Sequence, residues 1–358
     1  MNTVTVSASK QYDVIVGTDL LSDAGRYISA VKKPCTVAII SNITVWPLYG
    51  KLLATSLKNT GFHVIHHNID DGESYKNQQS YFQIQSFLAE NQITRSDLIV
   101  ALGGGVVGDL TGFCAATYLR GVDYIQIPTT LLAMVDSSVG GKTAIDLPQG
   151  KNLVGAFYQP RLVLCDLCTL STLPTDTFTD GCAEVIKYGM LYDPQLFSHL
   201  CVHGLQFDRE YVISRCISLK RDVVAEDEFD TGARQKLNLG HTIGHAIEKN
   251  SNYTLSHGRC VALGMAIITK AACRKGICPT GVYTKLTDVL NAFSLPTQLD
   301  STMIDQYPYD ADRLCSAALS DKKRFGDTVN LIIPREIGES IIQKTHITQL
   351  KSIIESGL

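Results

Sequence analysis

Charge is scarce in this sequence, and its cations are spread out. Charged residues make up 19% of its 358 positions, the formal net charge is −3, and no long run of Lys or Arg occurs. Surfaces for nucleic acid or anionic lipid are built from clustered cations, so neither partner is expected and a small molecule is. Nowhere does the chain offer the about 18 uninterrupted apolar residues of a membrane-spanning helix. The opening MNTVTVSASKQYDVIVG alternates like a β-hairpin and lacks the charged-then-apolar order of a signal peptide, which predicts a cytoplasmic protein. Low-complexity linkers and internal repeats are missing as well. With 45% hydrophobic residues the chain is far from a disordered composition and should fold throughout.

Cysteine is present, but in an odd number, eleven, and at irregular intervals, so reduced buried thiols are expected rather than a disulfide framework. Cys165 and Cys168 have CxxC spacing. With no second such pair to complete a zinc site, core packing is the expected role.

A chain of 358 residues exceeds one ordinary core and predicts two domains sharing a cleft. From about 36 to 133 it repeats a strand-then-helix rhythm: TVAIISN, a helix near 46–60, FHVIHHNI, a helix near 76–91, and DLIVALGGG. YIQIPTT and RLVLCDL continue the strands. Continuous β-branched runs between helical segments imply a parallel sheet covered on both faces, hence an α/β, Rossmann-like domain. After LSTLPTD strand signals fade and helical periodicity takes over. The expected boundary is therefore Pro174, with an α/β domain over 1–173 and an all-helical domain over 174–358.

Within LIVALGGGVVGDLTGF, Gly103, Gly105 and Gly108 satisfy GxGxxG between a strand and a helix. Such glycines let backbone approach a pyrophosphate, while the helix start supplies free N–H groups. The turn is not the first of its domain, and the acidic residue usual some twenty positions on is absent, so the dinucleotide arrangement is not the standard one. DGESYK, 71–76, follows another strand; Glu73 could hold ribose hydroxyls and Lys76 a charged group.

Read as one helix, Arg234, Asn238, His241 and His245 fall on one face. CAEVIKYGMLY sets Glu184 and Lys187 three apart in an apolar stretch, either as a salt bridge or as a metal-binding carboxylate beside a substrate cation. With His257 the chain offers a carboxylate and two or three imidazoles, the donors of an open zinc site. On spacing alone His241 and His245 could both bind metal. Arg120, Lys142, Lys151 and Asn152 stand among small and apolar residues, which suits an anionic substrate.

Seven stretches together resemble the 3-dehydroquinate synthase family: DGESYK, LGGGVVGDLTGF, TYLRGVDYIQIPTTLLAMVDSSVGGKTAID, GKNLVGAFYQP, AEVIKYG, EDEFDTGARQKLNLGHTIGHAIE and DKKRFG. The resemblance implies a nucleotide-binding domain, a helical metal- and substrate-binding domain, and a homodimer. It implies zinc, or cobalt, on Glu184, His241 and His257, with His245 turned instead to proton transfer. NAD would be held by Asp71, Gly72, Glu73, Ser74, Tyr75 and Lys76, by Gly103, Gly104, Gly105, Val106, Val107, Gly108 and Asp109, by Thr129 and Thr130, by Lys142 and Lys151, and by Thr169, Leu170, Ser171 and Thr172. Arg120, Lys142, Lys151, Asn152, Lys187, Lys220, Arg234, Asn238 and one of Lys322 and Lys323 would grip substrate; Asp136, Lys142, Asn152 and Lys187 join His245 as catalytic candidates.

One departure stands out: the family continues His-Gly-Glu-Ala where this chain has His257, Gly258, Arg259 and Cys260. The implied activity converts 3-deoxy-D-arabino-heptulosonate 7-phosphate, a phosphorylated and carboxylated sugar acid, to 3-dehydroquinate and phosphate. It proceeds by transient oxidation with NAD, phosphate elimination, re-reduction and aldol closure. Other sugar-phosphate cyclases, a glycerol-dehydrogenase-like metal-dependent alcohol dehydrogenase and a non-catalytic nucleotide-binding relative are the alternatives.

Overall fold

The computed structural model describes residues 1–300, 311–319, 324–325 and 327–358. Its first nine strands are β1 (Asn2–Ser7), β2 (Gln11–Gly17), β3 (Thr36–Asn42), β4 (His63–Ile69), β5 (Leu98–Gly103), β6 (Tyr124–Pro128), β7 (Lys142–Leu147), β8 (Gly150–Phe157) and β9 (Leu162–Asp166). β10 (Arg324–Phe325), β11 (Thr328–Glu336) and β12 (Glu339–His346) follow near the carboxyl terminus. The helices begin with α1 (Ala24–Val31), α2 (Lys51–Asn59), α3 (Gln78–Glu90), α4 (Gly105–Thr117), α5 (Thr175–Tyr192) and α6 (Pro194–His203). They continue with α7 (Arg209–Glu226), α8 (His241–Asn250), α9 (His257–Arg274), α10 (Thr280–Ala292), α11 (Ala311–Leu319) and α12 (Ile347–Gly357).

The chain divides into two compact units, Met1–Pro174 with Arg209–Phe229, and Thr175–Asp208 with Asp230–Leu358. In the first, β1-β2-β9-β6-β5-β3-β4 form a seven-stranded sheet, parallel except for the β1–β2 hairpin. β3, β5, β6 and β9 are apolar runs buried along nearly their whole length, as strands covered on both faces must be. One apolar cluster, with Val37, Ile39, Val100 and Ile127, lies on one face, and another, with Ile40, Ile99, Ala101 and Leu110, on the other.

Residues 209–229, which the sequence places in the second domain, belong to the first unit. α7 packs on β1 and β2. The Met1 amino group and the Asn2 amide donate to Glu210 at 2.7 and 3.0 Å. Periodicity shows that a helix has an apolar face, here Val212, Ile213, Cys216 and Ile217, but not which surface will cover it. β7 and β8, a separate antiparallel hairpin in the same unit, were also not anticipated.

The second unit is helical with one correction to its all-helical expectation: β10, β11 and β12 form an antiparallel sheet. TVNLIIPRE and ESIIQKTH pair from Thr328 with His346 to Glu336 with Glu339, joined by a turn at Gly338, φ +90°. The hairpin signal is local, two apolar β-branched runs around Gly338, and stands in a region of otherwise helical periodicity. Two close helix contacts matter for the site. A β-carbon at Gly244 on α8 would lie 2.8 Å from the Cys260 carbonyl oxygen on α9, and one at Gly264 would lie 2.0 Å from the Gly240 oxygen. Only hydrogen at these positions lets α8 and α9 approach so closely.

Candidate active site and metal centre

The second unit brings one carboxylate and three imidazoles together from three helices. Glu184 comes from the middle of α5, His241 is the first residue of α8, and His257 is the first of α9. Gly240 holds a left-handed φ of +78° just before His241, a conformation that costs a side-chain-bearing residue energy. His257 Nε2 lies 3.2 Å from Glu184 Oε1, and His241 Nε2 lies 3.4 Å from the same oxygen. Lys187, one turn along α5, meets the other carboxylate oxygen, and both side chains are almost wholly buried. Both readings of this pair thus share one geometry: a salt bridge whose carboxylate also faces two imidazoles.

The donor set fits a divalent ion. Donor atoms of Glu184, His241 and His257 lie within 4.8 Å of one another, and one oxygen with two nitrogens is the set of a catalytic zinc that keeps a position open. His241 Nδ1 lies 3.1 Å from the Leu239 carbonyl oxygen. Donating there, it leaves the Nε2 lone pair aimed at the centre. Burial, reinforced by Lys187, lowers the His241 pKa to about 4, so the ring is neutral as a ligand must be. Burial works to raise Glu184, but the Lys187 ammonium and both imidazoles hold its carboxyl well below the ordinary range. For His257, burial works downward and is more than offset by the hydrogen bond and charge of Glu184, which leave it raised.

His245 follows one turn after His241, with ring centroids 5.4 Å from His241 and 6.0 Å from His257. Beside it the structure places Glu248, a buried carboxylate that the sequence reading overlooked. His245, Glu248 and His257 form a second trio within 4.8 Å, so the spacing-based reading of His245 as a ligand keeps a geometric basis. The clue was the three-residue interval from His245 to Glu248 in HAIEKN.

The single helix expected from Arg234 to His245 is broken. Arg234 and Asn238 lie on a 3₁₀ turn, Ala233–Asn238; Leu239 is extended and Gly240 left-handed before α8 begins. Even spacing conceals such a break, and Gly240 was its only local sign. Arg234 is 2% exposed. At the departure from the family pattern, the Arg259 guanidinium lies 3.8 Å from Asp176 on α5, and the backbone N–H of the same residue donates to Asp180 at 3.0 Å.

In the first unit the expected cofactor segments cluster at the carboxyl ends of parallel strands. Residues 71–76 follow β4, the glycine turn follows β5, Thr129 and Thr130 follow β6, and Thr169–Thr172 follow β9. Ligands of open α/β sheets bind at that edge, at the point where strand order reverses, here between β3 and β5. α4 starts at this point with no side-chain cap, leaving its first N–H groups available to a pyrophosphate. Gly104 fits against Thr130, whose Cγ2 would stand 3.0 Å from an added β-carbon. The reversal also singles out Asn42, the last residue of β3, and Thr44 just beyond it as cofactor candidates that no motif marked; Thr44 bonds Asp71. Strand order is a property of the assembled sheet, so no local pattern could have found them.

Lys76 Nζ lies 2.5 Å from Asp109 and 2.6 Å from the Asn152 amide oxygen, joining two residues expected at NAD to one expected at the substrate. Burial works to lower the Lys76 pKa, but Asp109 and Glu73 leave it raised. Lys151 lies 3.2 Å from Glu73, and Lys220 donates to Asp136 at 2.8 Å. Lys142 opens β7 with an exposed side chain. Arg120 does not join them: it is exposed just beyond the far end of α4, about 20 Å from the glycine turn at 1.5 Å per residue. Lys322 and Lys323 lie outside the described residues. Cys165 is buried in β9 as expected, whereas Cys168 is exposed.

Fold and donor set together are those of a metal-dependent enzyme that uses a nucleotide cofactor. Residues 66–180 match the model of the 3-dehydroquinate synthase N-terminal domain, and residues 181–324 match that of the C-terminal domain. The chain belongs to the 3-dehydroquinate synthase family. It is 45% identical to the 3-dehydroquinate synthase of Clostridium acetobutylicum over 93% of each chain. With that of Streptococcus thermophilus it shares 39% over 96% of this chain and 97% of the relative.

Among solved structures, 2-deoxy-scyllo-inosose synthase complexed with carbaglucose-6-phosphate, NAD+ and Co2+ superposes with a TM-score of 0.87 at 25% identity, covering 100% of both chains. The 2-epi-5-epi-valiolone synthase of Streptomyces hygroscopicus, with NAD+ and Zn2+ bound, gives 0.87 at 25%, covering 99% of this chain and 98% of that one. Glycerol dehydrogenase from Schizosaccharomyces pombe, at 0.63 and 16% over 99% and 90%, shares the fold alone.

Proposed function

We propose that this chain converts 3-deoxy-D-arabino-heptulosonate 7-phosphate to 3-dehydroquinate and phosphate, holding a divalent metal on Glu184, His241 and His257 and NAD on the carboxyl edge of the parallel sheet. The observation that carries the reading is the convergence of those three donors beside a buried lysine. The relatives it resembles at 39–45% identity are named for this activity, and cyclases for other sugar phosphates stand at 25%.

A bound zinc or cobalt ion supplies a Lewis acid that lowers the pKa of an alcohol and stabilises oxyanion charge. NAD supplies a hydride acceptor that is regenerated within the same turnover. The residues themselves bind, orient and neutralise. The substrate carries about three negative charges, a phosphate and a carboxylate, which is why so many cations are collected. Arg234, whose planar guanidinium can grip a carboxylate bidentately, is fixed on the turn leading into His241. Lys187, paired with Glu184, faces an oxygen of the substrate. Lys142, Lys151 and Asn152 receive the phosphate, with Asn152 oriented by Lys76. Asp136 anchors Lys220 in position as a further cation. His245, one turn from the metal ligand, moves a proton at the reacting carbon or its oxygen. The same reading makes the enzyme a cytoplasmic homodimer.

Purified protein supplied with zinc, NAD and the seven-carbon acid phosphate should release phosphate stoichiometrically with 3-dehydroquinate while no NADH accumulates. NADH formed in step with product would mean an ordinary dehydrogenase instead. Turnover of sedoheptulose 7-phosphate or glucose 6-phosphate, with the acid phosphate left untouched, would favour a different cyclase.

A further inference from the structure

Away from the metal centre, two thiols meet across the turn between α9 and α10. Cys273 lies in the last turn of α9, partly exposed, and Cys278 is buried just before α10. Their sulfurs are 2.9 Å apart. A disulfide bond is about 2.05 Å long, so closure needs less than about 1 Å of movement. The connecting turn can supply it: Gly276 has φ +68°, and nothing lies within 4 Å of where its β-carbon would be. The exposed Cys168 and Cys201 have no such sulfur neighbour among the described residues.

We propose that Cys273 and Cys278 form a peroxide-sensitive modification site that closes reversibly to an intramolecular disulfide. The more accessible Cys273 reacts first: its thiolate attacks one peroxide oxygen, the O–O bond breaks, and a sulfenic acid and hydroxide result. Cys278 sulfur then attacks the Cys273 sulfur, the S–O bond breaks, and hydroxide leaves with the Cys278 proton as water. Two thiols and one hydrogen peroxide thus give one disulfide and two waters, with two electrons passing from sulfur to oxygen. Burial and the neighbouring Cys273 push the Cys278 thiol up to about 12, which keeps it from reacting with peroxide first, and its sulfur 2.9 Å away fits it to the second step. The bridge would tie the end of α9, whose first residue is His257, to the start of α10.

The test uses the metal- and NAD-loaded protein, treated with an equivalent of hydrogen peroxide, alkylated and digested with trypsin. Cleavage after Lys270, Arg274, Lys275 and Lys285 places the two cysteines on separate peptides, 271–274 and 276–285. The expected result is a linked pair of these peptides that separates on reduction. In Cys278→Ser, dimedone should instead trap a sulfenic acid at Cys273. Recovery of peptide 276–285 alkylated at Cys278 while Cys273 is oxidised alone would overturn the proposal. So would consumption of Cys168 and Cys201 with both members of the pair untouched.

Discussion

Replacing Glu184 by Gln removes one negative charge and almost no volume, yet it should be among the most damaging single changes in the second unit. The Glu184 side chain is 1% exposed and that of Lys187 2%, so the substitution leaves an ammonium buried without its counter-charge. Breaking a buried pair from one side costs about 3–5 kcal/mol. In a domain of this size each kcal/mol moves the melting temperature by roughly 2–4 °C, so metal-stripped Glu184→Gln should melt about 10 °C below the wild type. The second partner supplies the control. Glu184→Gln with Lys187→Met removes the orphaned charge, and replacing a buried pair by neutral groups is often close to neutral. The double variant should therefore regain most of the lost stability and still bind no zinc, because a ligand is gone. The assay is thermal unfolding in chelator, repeated with added zinc, alongside metal content after dialysis. At a zinc concentration 100 times its Kd, the wild type should gain about 2.7 kcal/mol, and both variants nothing. A single variant that loses less than about 1 kcal/mol, or a double variant no more stable than the single, would refute the picture of a buried charge held by this carboxylate.

His241→Ala and His257→Ala should each lose metal and turnover together, whereas His245→Ala should retain metal and lose mainly turnover. Equal metal loss in all three, read by elemental analysis, would shift His245 into the ligand set with Glu248. The metal-free protein should also carry a pH signature. His241 titrates at about 4 when folded and near 6.5 when unfolded, so between these values only the unfolded chain takes up the proton. Stability then rises with pH across that window, by up to about 3 kcal/mol. His257, raised in the fold, acts in the opposite sense and loses its contribution as pH rises through its folded value. Denaturation curves at pH 4.5 and 7 (about the limits of the window) should show a smaller rise in His241→Asn; an unchanged rise would exclude His241 as its source. Gly264→Ala would place a β-carbon 2.0 Å from the Gly240 oxygen, forcing α8 and α9 apart. The expected cost is about 1–3 kcal/mol with weakened zinc affinity, and calorimetry showing wild-type affinity would disconnect the helix contact from the metal centre.

The strands of the parallel sheet could be read from the chain because each is a continuous apolar run between helical stretches. TVAIISN became β3, and YIQIPTT and RLVLCDL became β6 and β9, with ends displaced by a residue or two. The chemistry of the candidate site was legible for a related reason: histidine, arginine, asparagine and paired charges among apolar residues are expensive unless they have work to do. Local patterns, however, record only what a residue sees within a few turns of its own chain. They could not show that α7 would cover the β1–β2 hairpin or that His257 would meet His245 and Glu248, and they gave only a single glycine as the sign of the break before His241.

Sequence alone thus determined the strands of the parallel sheet and the helices between them, and which side chains are too costly to bury idly, since both depend on near-neighbour chemistry. Tertiary packing decided the rest. Order along the sheet placed the reversal between β3 and β5, and hydrogen at Gly244 and Gly264 let two helices close until imidazoles sixteen residues apart faced one carboxylate. Those outcomes depend on excluded volume between elements distant in the chain, which no short stretch of residues encodes.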